Sequence, residues 1–215
     1  MEKYEPPKPT LRDKACALVE SAASLVPVPY LGEGVSILTE LIGPPIRKRE
    51  MEWREEVGKG LRELEASQLC VFEQLQENNV FIDTLIRALQ AARCTGNRKK
   101  REALRNAVLN AASPQAPDEV IQAIFIGLIA EFTEYHLVIL QRLSLNNRNA
   151  YEGIASGLSE RESIIRSIVG DLEDHQLINV VGRSAMGERG VVVVDGLSEL
   201  GTKFLSFIAS PIQDS

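Results

Sequence analysis

The 215-residue sequence predicts a mainly α protein, a multi-helix body followed by a C-terminal winged-helix-like module containing one β-hairpin. Two observations carry that fold class. Apolar residues recur at spacings of three and four through residues 11–145, which places them on single faces of successive helices. A capped helical segment from Ser159 to Asp174 then gives way to two β-branched runs, Leu177 to Val181 and Val191 to Val194, and to a closing apolar helix. Helix, hairpin, helix is the order in which a winged helix-turn-helix ends.

Composition narrows the function classes. A hydrophobic share of 44% with 25% charged residues is ordinary for a globular chain. The formal net charge of -6 and a pI near 5.2 exclude a global positive field, so any polyanion contact needs a local patch. Cys16, Cys70 and Cys94 are widely spaced and form no CxxC, which predicts reduced thiols. Residues 1–10 are charged and proline-rich, with no apolar run of a signal peptide, and are expected to be a disordered leader. The expected location is cytoplasmic, with a peripheral position at the inner membrane as a variant.

The helical body is expected over residues 11–145. Leu11, Ala15, Leu18, Ala22 and Leu25 share one helix face, and Pro27 and Pro29 end that helix. A second apolar segment runs from Tyr30 to Ile42, with Pro44-Pro45 as its expected stop. The resulting hairpin, 15–46, contains no lysine or arginine. It reads either as two small-residue helices packed in the core or as a membrane-active or oligomerising element. Its longest uncharged run, Ser21 to Gly32, is broken by prolines and falls short of the roughly 20 residues a spanning helix needs.

Arg47, Lys48 and Arg49 open the next helix, on which Trp53, Val57, Leu61 and Leu64 form one face. Asn78-Asn79 cap a helix bearing Phe81, Ile82, Leu85, Ile86 and Leu89, which stops near Gly96. The run Arg98, Lys99, Lys100, Arg101 starts another, with Leu104, Val108 and Ala111 as its buried stripe. Four cations there oppose the helix dipole, so either neighbouring acids such as Glu102 match them or an external anion does. Asp118 caps a helix expected to bury Ile121, Ile124, Phe125, Leu128, Ile129 and Phe132. Thr133 caps a short successor with Leu137, Leu140 and Leu143, and Asn146 to Asn149 form a polar turn.

In the C-terminal module, 150–210, Ser159 and Glu162 have capping-box spacing. The helix they open is expected to bury Ile164, Ile165, Ile168, Val169 and Leu172. Gly182, Gly187 and Gly190 mark a wing, Asp195-Gly196 a turn, and Ser198 the cap of a helix with Leu200, Phe204, Leu205 and Ile208 inward. Entry of the 160s helix into a DNA groove would place Glu160, Glu162, Asp171, Glu173 and Asp174 against phosphates, with only Arg161 and Arg166 to compensate. Arg183 and Arg189 are the candidate wing contacts.

Catalytic chemistry has no signature here. No GxxxxGK[ST], GxGxxG after a strand, GxSxG or HExxH is present, so the chain reads as non-enzymatic, with no catalytic, cofactor-binding or metal residues assigned. His136 reads as a satisfied structural histidine, and His175 as a mild stabiliser at a helix end.

One resemblance joins distant segments. Leu41-Ile42-Gly43-Pro44-Pro45-Ile46-Arg47, the helix Arg101 to Ala112, Leu140-Gln141-Arg142-Leu143 and the closing Leu200-Gly201-Thr202-Lys203-Phe204 resemble the bacterial Abi-alpha group of abortive-infection-associated helical proteins. That resemblance implies a prokaryotic cytoplasmic protein tied to phage defence or growth arrest, and it carries over no catalytic residue. The expected function is a non-enzymatic interaction protein that engages a protein partner, a further copy of itself or an anionic membrane surface. The candidate anion or membrane contacts are Arg47, Lys48, Arg49, Arg98, Lys99, Lys100 and Arg101. The alternative is a winged-helix DNA-binding regulator.

Overall fold

The computed structural model describes residues 33–145, 149–150, 162–184 and 191–211. The expected leader, the helix over 11–25 with Pro27 and Pro29, and the Ser159 cap lie outside the described residues. The chain divides into two compact units, 1–52 and 53–215.

Helix α1 spans Glu33–Ala66 and contains both Pro44 and Pro45. The expectation that the proline pair stops a helix is therefore wrong. Each proline removes one backbone hydrogen bond to the residue four positions earlier, here Glu40 and Leu41. Both of those residues are exposed, so water can satisfy the two carbonyls. Gly43, immediately before the pair, has no Cβ to crowd a proline ring, which eases the usual restriction on that position. The apolar stretch 33–46 and the basic run 47–49 consequently lie on one helix rather than on two helices separated by the proline pair.

Farther along α1, Trp53, Val57, Leu61 and Leu64 are buried as their spacing predicts. The helix closes with Gln68 at φ 58°, and Leu69 N–H reaches back to the Leu64 carbonyl at 2.9 Å. This is a Schellman closure with glutamine where glycine is usual. The short α2, Phe72–Glu77, leads into α3, Asn79–Cys94, whose first turn is capped by Asn78 Oδ1 accepting from Phe81 N–H at 3.2 Å. Cys70 is a buried free thiol, and burial pushes its pKa up. Cys94 is disulfide-bonded, which departs from the expectation of reduced thiols throughout.

Helix α4, Arg98–Ala111, is the central element of the second unit. Leu104, Val108 and Ala111 are buried as expected, and so are Ala103, Ala107 and Leu109. Alanines on the second face let α3, α5 and the last helix all approach it. Gly60 of α1 also lies close, since a Cβ there would sit 2.7 Å from Leu109 Cδ1. The Trp53 indole donates to the Arg101 carbonyl at 3.0 Å.

Helices α5, Glu119–Glu131, and α6, Glu134–Leu145, meet in a 119° bend at Phe132 and Thr133. Asp118 Oδ1 caps α5 through Ile121 N–H at 3.0 Å. No single described helix is long and apolar enough to cross a membrane; α5 and α6 together pass that test by length and composition. Their apolar residues Phe125, Ile129, Ile139, Leu140 and Leu143 are spent in the core. Ile124 is 45% exposed, against expectation, because α5 is apolar almost all round and its periodicity does not choose a face.

The C-terminal elements are β1 (Asn149–Ala150), α7 (Glu162–Asp174), β2 (Ile178–Ser184), β3 (Val191–Leu197) and α8 (Glu199–Ile208). They form the expected hairpin β2–β3, and the sheet gains a third strand in the antiparallel order β1-β3-β2. Asn149 pairs with Val194, where the sequence suggested only a polar turn. With α6 before β1, the order helix, strand, helix, hairpin places the first strand beside the last, as a winged helix requires. Asp195-Gly196 does not turn the chain. Both residues lie inside β3, where Gly196 takes φ 127° opposite Asn179 and the register slips between Asn179 and Val180.

Ser198 caps α8 by accepting from Gly201 N–H at 2.9 Å while donating to the Gln176 carbonyl at 2.6 Å. Phe204 and Phe207 of α8 meet Phe125 of α5 at ring-centroid distances of 5.3 and 5.6 Å. At the far end of α8, Asn106 Nδ2 donates to the Ile208 carbonyl at 3.0 Å. Asn110 Nδ2 lies 2.8 Å from the carbonyls of both Phe207 and Ala209. Two asparagines one turn apart on α4 thus satisfy the orphan carbonyls that any helix leaves at its C-terminus.

Candidate functional site: the outer face of helix α7 and the elbow beneath it

Helix α7 occupies the position of the groove-reading helix in a winged helix. Its inner face is apolar, with Ile165, Ile168, Val169 and Leu172 buried against α6 and β2. Gln176 at φ 57° and the Leu177 N–H to Leu172 carbonyl bond of 2.9 Å close it in a second Schellman turn. Ser163, Ile164, Ser167, Asp171 and Asp174 are exposed, and Arg166, Gly170 and Glu173 are half-buried. Ile164, expected inside, is 43% exposed and gives this face an apolar contact point. Asp171, Glu173 and Asp174 fall in the last turn, which contains no basic residue. Acids there oppose the helix dipole, so helix stability does not explain them.

Beneath α7 lies the α5–α6 elbow. Thr133 precedes α6, and His136 occupies the third position of its first turn. His136 Nδ1 accepts from Thr133 N–H at 3.1 Å, with Thr133 Oγ1 2.8 Å away. A backbone N–H can only donate, so Nδ1 carries no proton and the tautomer is Nε2–H. This is one half of a capping box, with histidine at the place where Glu or Gln usually stands. Nε2–H donates to Asp171 Oδ2 on α7 at 3.3 Å. The ring stacks on Phe132 at 4.6 Å between centroids and 9° between planes. Burial lowers the His136 pKa, and the Asp171 carboxylate opposes that shift without reversing it. His175, just beyond α7, meets the other side of the same elbow edge-on to Phe132 at 5.5 Å, with Nε2 3.9 Å from Glu131 Oε1.

The N-terminus of α4 grips this elbow from behind. Asn97 Oδ1 caps α4 through Lys100 N–H at 3.1 Å, and Asn97 Nδ2 donates to Glu134 Oε2 at 2.9 Å. Lys99 Nζ sits 2.6 Å from Glu134 Oε1, and together with Asn97 it holds the Glu134 carboxyl below the usual range. Lys100 is only 5% exposed and donates from Nζ to the Ala130 carbonyl at 2.8 Å, capping the last turn of α5. Of the run 98–101, Arg98 points outward, Lys99 and Lys100 are committed to the elbow, and Arg101 is half-buried.

The remaining candidates are dispersed. Arg47 and Lys48 are exposed on α1, Arg49 is half-buried, and Lys48 Nζ lies 3.9 Å from Glu52 Oε1. Arg183 is in β2 opposite Val192, with its side chain outside the description, and Arg189 lies outside the described residues. Sequence reading missed the His136–Asp171 link and the asparagine caps on α8. The Thr133-x-x-His136 spacing signals the local cap but not the partner on α7.

Among the described residues, no three His, Cys, Asp or Glu side chains converge to hold a metal ion. Comparison with known proteins finds no matching family model, no matching curated protein and no matching solved structure.

Proposed function

We propose that the chain is a non-enzymatic interaction protein whose winged helix presents α7 to a protein partner rather than to DNA. The observation that carries this reading is the outer face of α7: an exposed Ile164, two serines and the acids Asp171 and Asp174, with Arg166 the one cation of the helix. A duplex carries about one negative charge per 1.7 Å, so an acidic helix C-terminus in its groove is repelled. A partner segment bearing lysine or arginine around an apolar side chain complements the same face. The phage-defence or growth-arrest setting rests on the resemblance of segments in α1, α4, α6 and α8 alone, and plating efficiency with and without expression is its readout.

The second reading, contact with an anionic membrane surface, draws on α1. Leu41 and Met51 are 65% and 63% exposed, and with Pro44, Pro45 and Lys48 they line one face. Apolar residues beside cations suit a headgroup boundary.

In-cell photocrosslinking separates these readings. A photoreactive side chain at Ser167 is expected to give a discrete protein adduct, absent when the group sits at Gln90 on α3. Nucleic-acid adducts from Ser167 would transfer support to the DNA-binding regulator. The same group at Met51 reports the second reading, through lipid adducts or their absence.

A further inference from the structure

We infer that the partner of α7 is a second copy of this chain, whose α1 lays the face Leu41, Pro44, Lys48 and Met51 along Ile164, Ser167, Asp171 and Asp174. This rests on the reading of α7 as a protein-binding face and names its occupant. That face calls for an apolar side chain with a cation two turns farther along the same helix. Among the described residues, most exposed large apolar side chains stand beside acids: Leu69 and Val71 between Glu65 and Glu73, Val120 and Ile124 between Glu119 and Glu131. Ile86 has Arg87 next to it, but Asp83 one turn earlier offsets that charge, and Leu145 follows a half-buried Arg142. Leu41 and Met51 bracket two exposed cations, Arg47 and Lys48.

Spacing sets the register. Both quartets step by three, four and three residues, so each forms one stripe along its helix. Leu41 to Lys48 and Ile164 to Asp171 each advance seven residues, a rise of about 10 Å. Laid parallel, Leu41 meets Ile164 and Lys48 meets Asp171, apolar on apolar and cation on acid. Pro44 meets the small Ser167, and Arg47 falls beside Gly170, where nothing lies within 4 Å of a would-be Cβ. Glu52 arrives opposite the imidazole of His175, just past the end of α7. Laid antiparallel, the same stripes set Leu41 on Asp174 and Lys48 on Ser167, and both matches are lost. The two charges are available for the exchange. Asp171 gives Oδ2 to His136 and keeps a side chain 53% exposed, while Lys48 is 78% exposed with Glu52 at 3.9 Å, a surface pair that costs little to replace. Two single helix faces bury less than the roughly 1,200 Å² of a standard interface, so the contact is micromolar and weakens with salt. Its halves are different surfaces, and every copy offers both.

Sedimentation velocity of the full chain from about 1 to 200 μM, at about 50 and 500 mM salt, tests the contact. Mass is expected to rise with concentration at low salt and to fall back to that of the monomer at high salt. Lys48→Glu and Asp171→Lys, each alone, are expected to weaken association by about tenfold or more. An equimolar mixture of the two variants is expected to restore it, because each then offers the charge that the other lacks. Loss of fold in either variant would not be rescued by mixing. A wild type monomeric at every concentration, single variants that associate like the wild type, or a mixture that stays monomeric would each overturn the inference. Should Asp171→Lys fail to fold, a photoreactive side chain at Ser167, mixed with isotope-labelled wild type, decides: adducts to the labelled segment 41–51 are expected, and adducts elsewhere or none refute it. Failure here is distinguishable from failure of the parent reading. A discrete adduct to a different protein from Ser167 in cells keeps α7 as a protein-binding face and rejects the second copy, nucleic-acid adducts reject both, and lipid adducts from Met51 remove α1 from the contact.

Discussion

Replacing Gly201 with alanine is expected to destabilise the chain by about 3 kcal/mol or more, the high end of what overpacking does. For a chain of this size that lowers Tm by roughly 6 to 12 °C. A Cβ at Gly201 would collide with the Leu177 carbonyl oxygen, whose neighbours Cα and C also lie within van der Waals contact. Backbone cannot yield as a flexible side chain can, and this carbonyl is already fixed by Ser198 N–H at 3.0 Å. The whole corner where α7, β2 and α8 meet would have to separate. Gly127→Ala is the matched control. It sits in an exposed helix interior with nothing within 4 Å of its would-be Cβ, and it should gain about 0.5 to 1 kcal/mol. Thermal unfolding of the two variants should show shifts of opposite sign.

The second large effect belongs to Asn106 and Asn110. Asn106→Leu leaves the Ile208 carbonyl without its donor at a buried position, and a loss of about 2 kcal/mol follows. Asn110→Ala removes a donor shared among Phe207, Ala209 and Asn106, with a similar cost. Asn110→Asp is expected to be worse than Asn110→Ala, because a carboxylate would face the negative end of the α8 dipole. The double variant should lose less than the sum, since both side chains hold the same helix end and the first loss already frees it. Urea titration of the wild type, Asn106→Leu, Asn110→Ala and the double variant, combined as a double-mutant cycle with Asn110→Asp measured beside it, checks each of these statements.

The helical framework was legible wherever a single cap or a single face determined it. Asn78, Asp118 and Ser198 cap where their side chains predicted, and the Trp53 to Leu64 stripe is buried in the expected order. The signal failed where local chemistry was ambiguous. Ile124 and Ile164 sit on helices rich in isoleucine, so apolar character alone did not say which flank faces out. Strand β1 is two residues long and polar at Asn149, and it exists only because β3 lies alongside. Pro44-Pro45 looked like a stop because the local rule is strong. The exposed positions of Glu40 and Leu41, together with Gly43, make the pair tolerable inside α1.

The candidate site was half legible. Acidity of α7 was plain from Asp171, Glu173 and Asp174, and its consequence for DNA binding follows from charge alone. The basic run 98–101 was not legible in the same way. Lys100 looks identical in sequence to a solvated lysine, and only the approach of the α5 C-terminus turns it into a buried cap on Ala130. His136 was recognised as structural, but its partner Asp171 is 35 residues away and on another helix, beyond the reach of any spacing rule.

Binding to a random duplex at low salt is the most direct measurement of whether this winged helix faces protein or DNA. With labelled duplex in about 50 mM salt, the acidic α7 face predicts no complex at protein concentrations up to about 10 μM. A submicromolar complex that weakens steeply as salt rises would contradict it and would make the wing, rather than α7, the deciding element of the module.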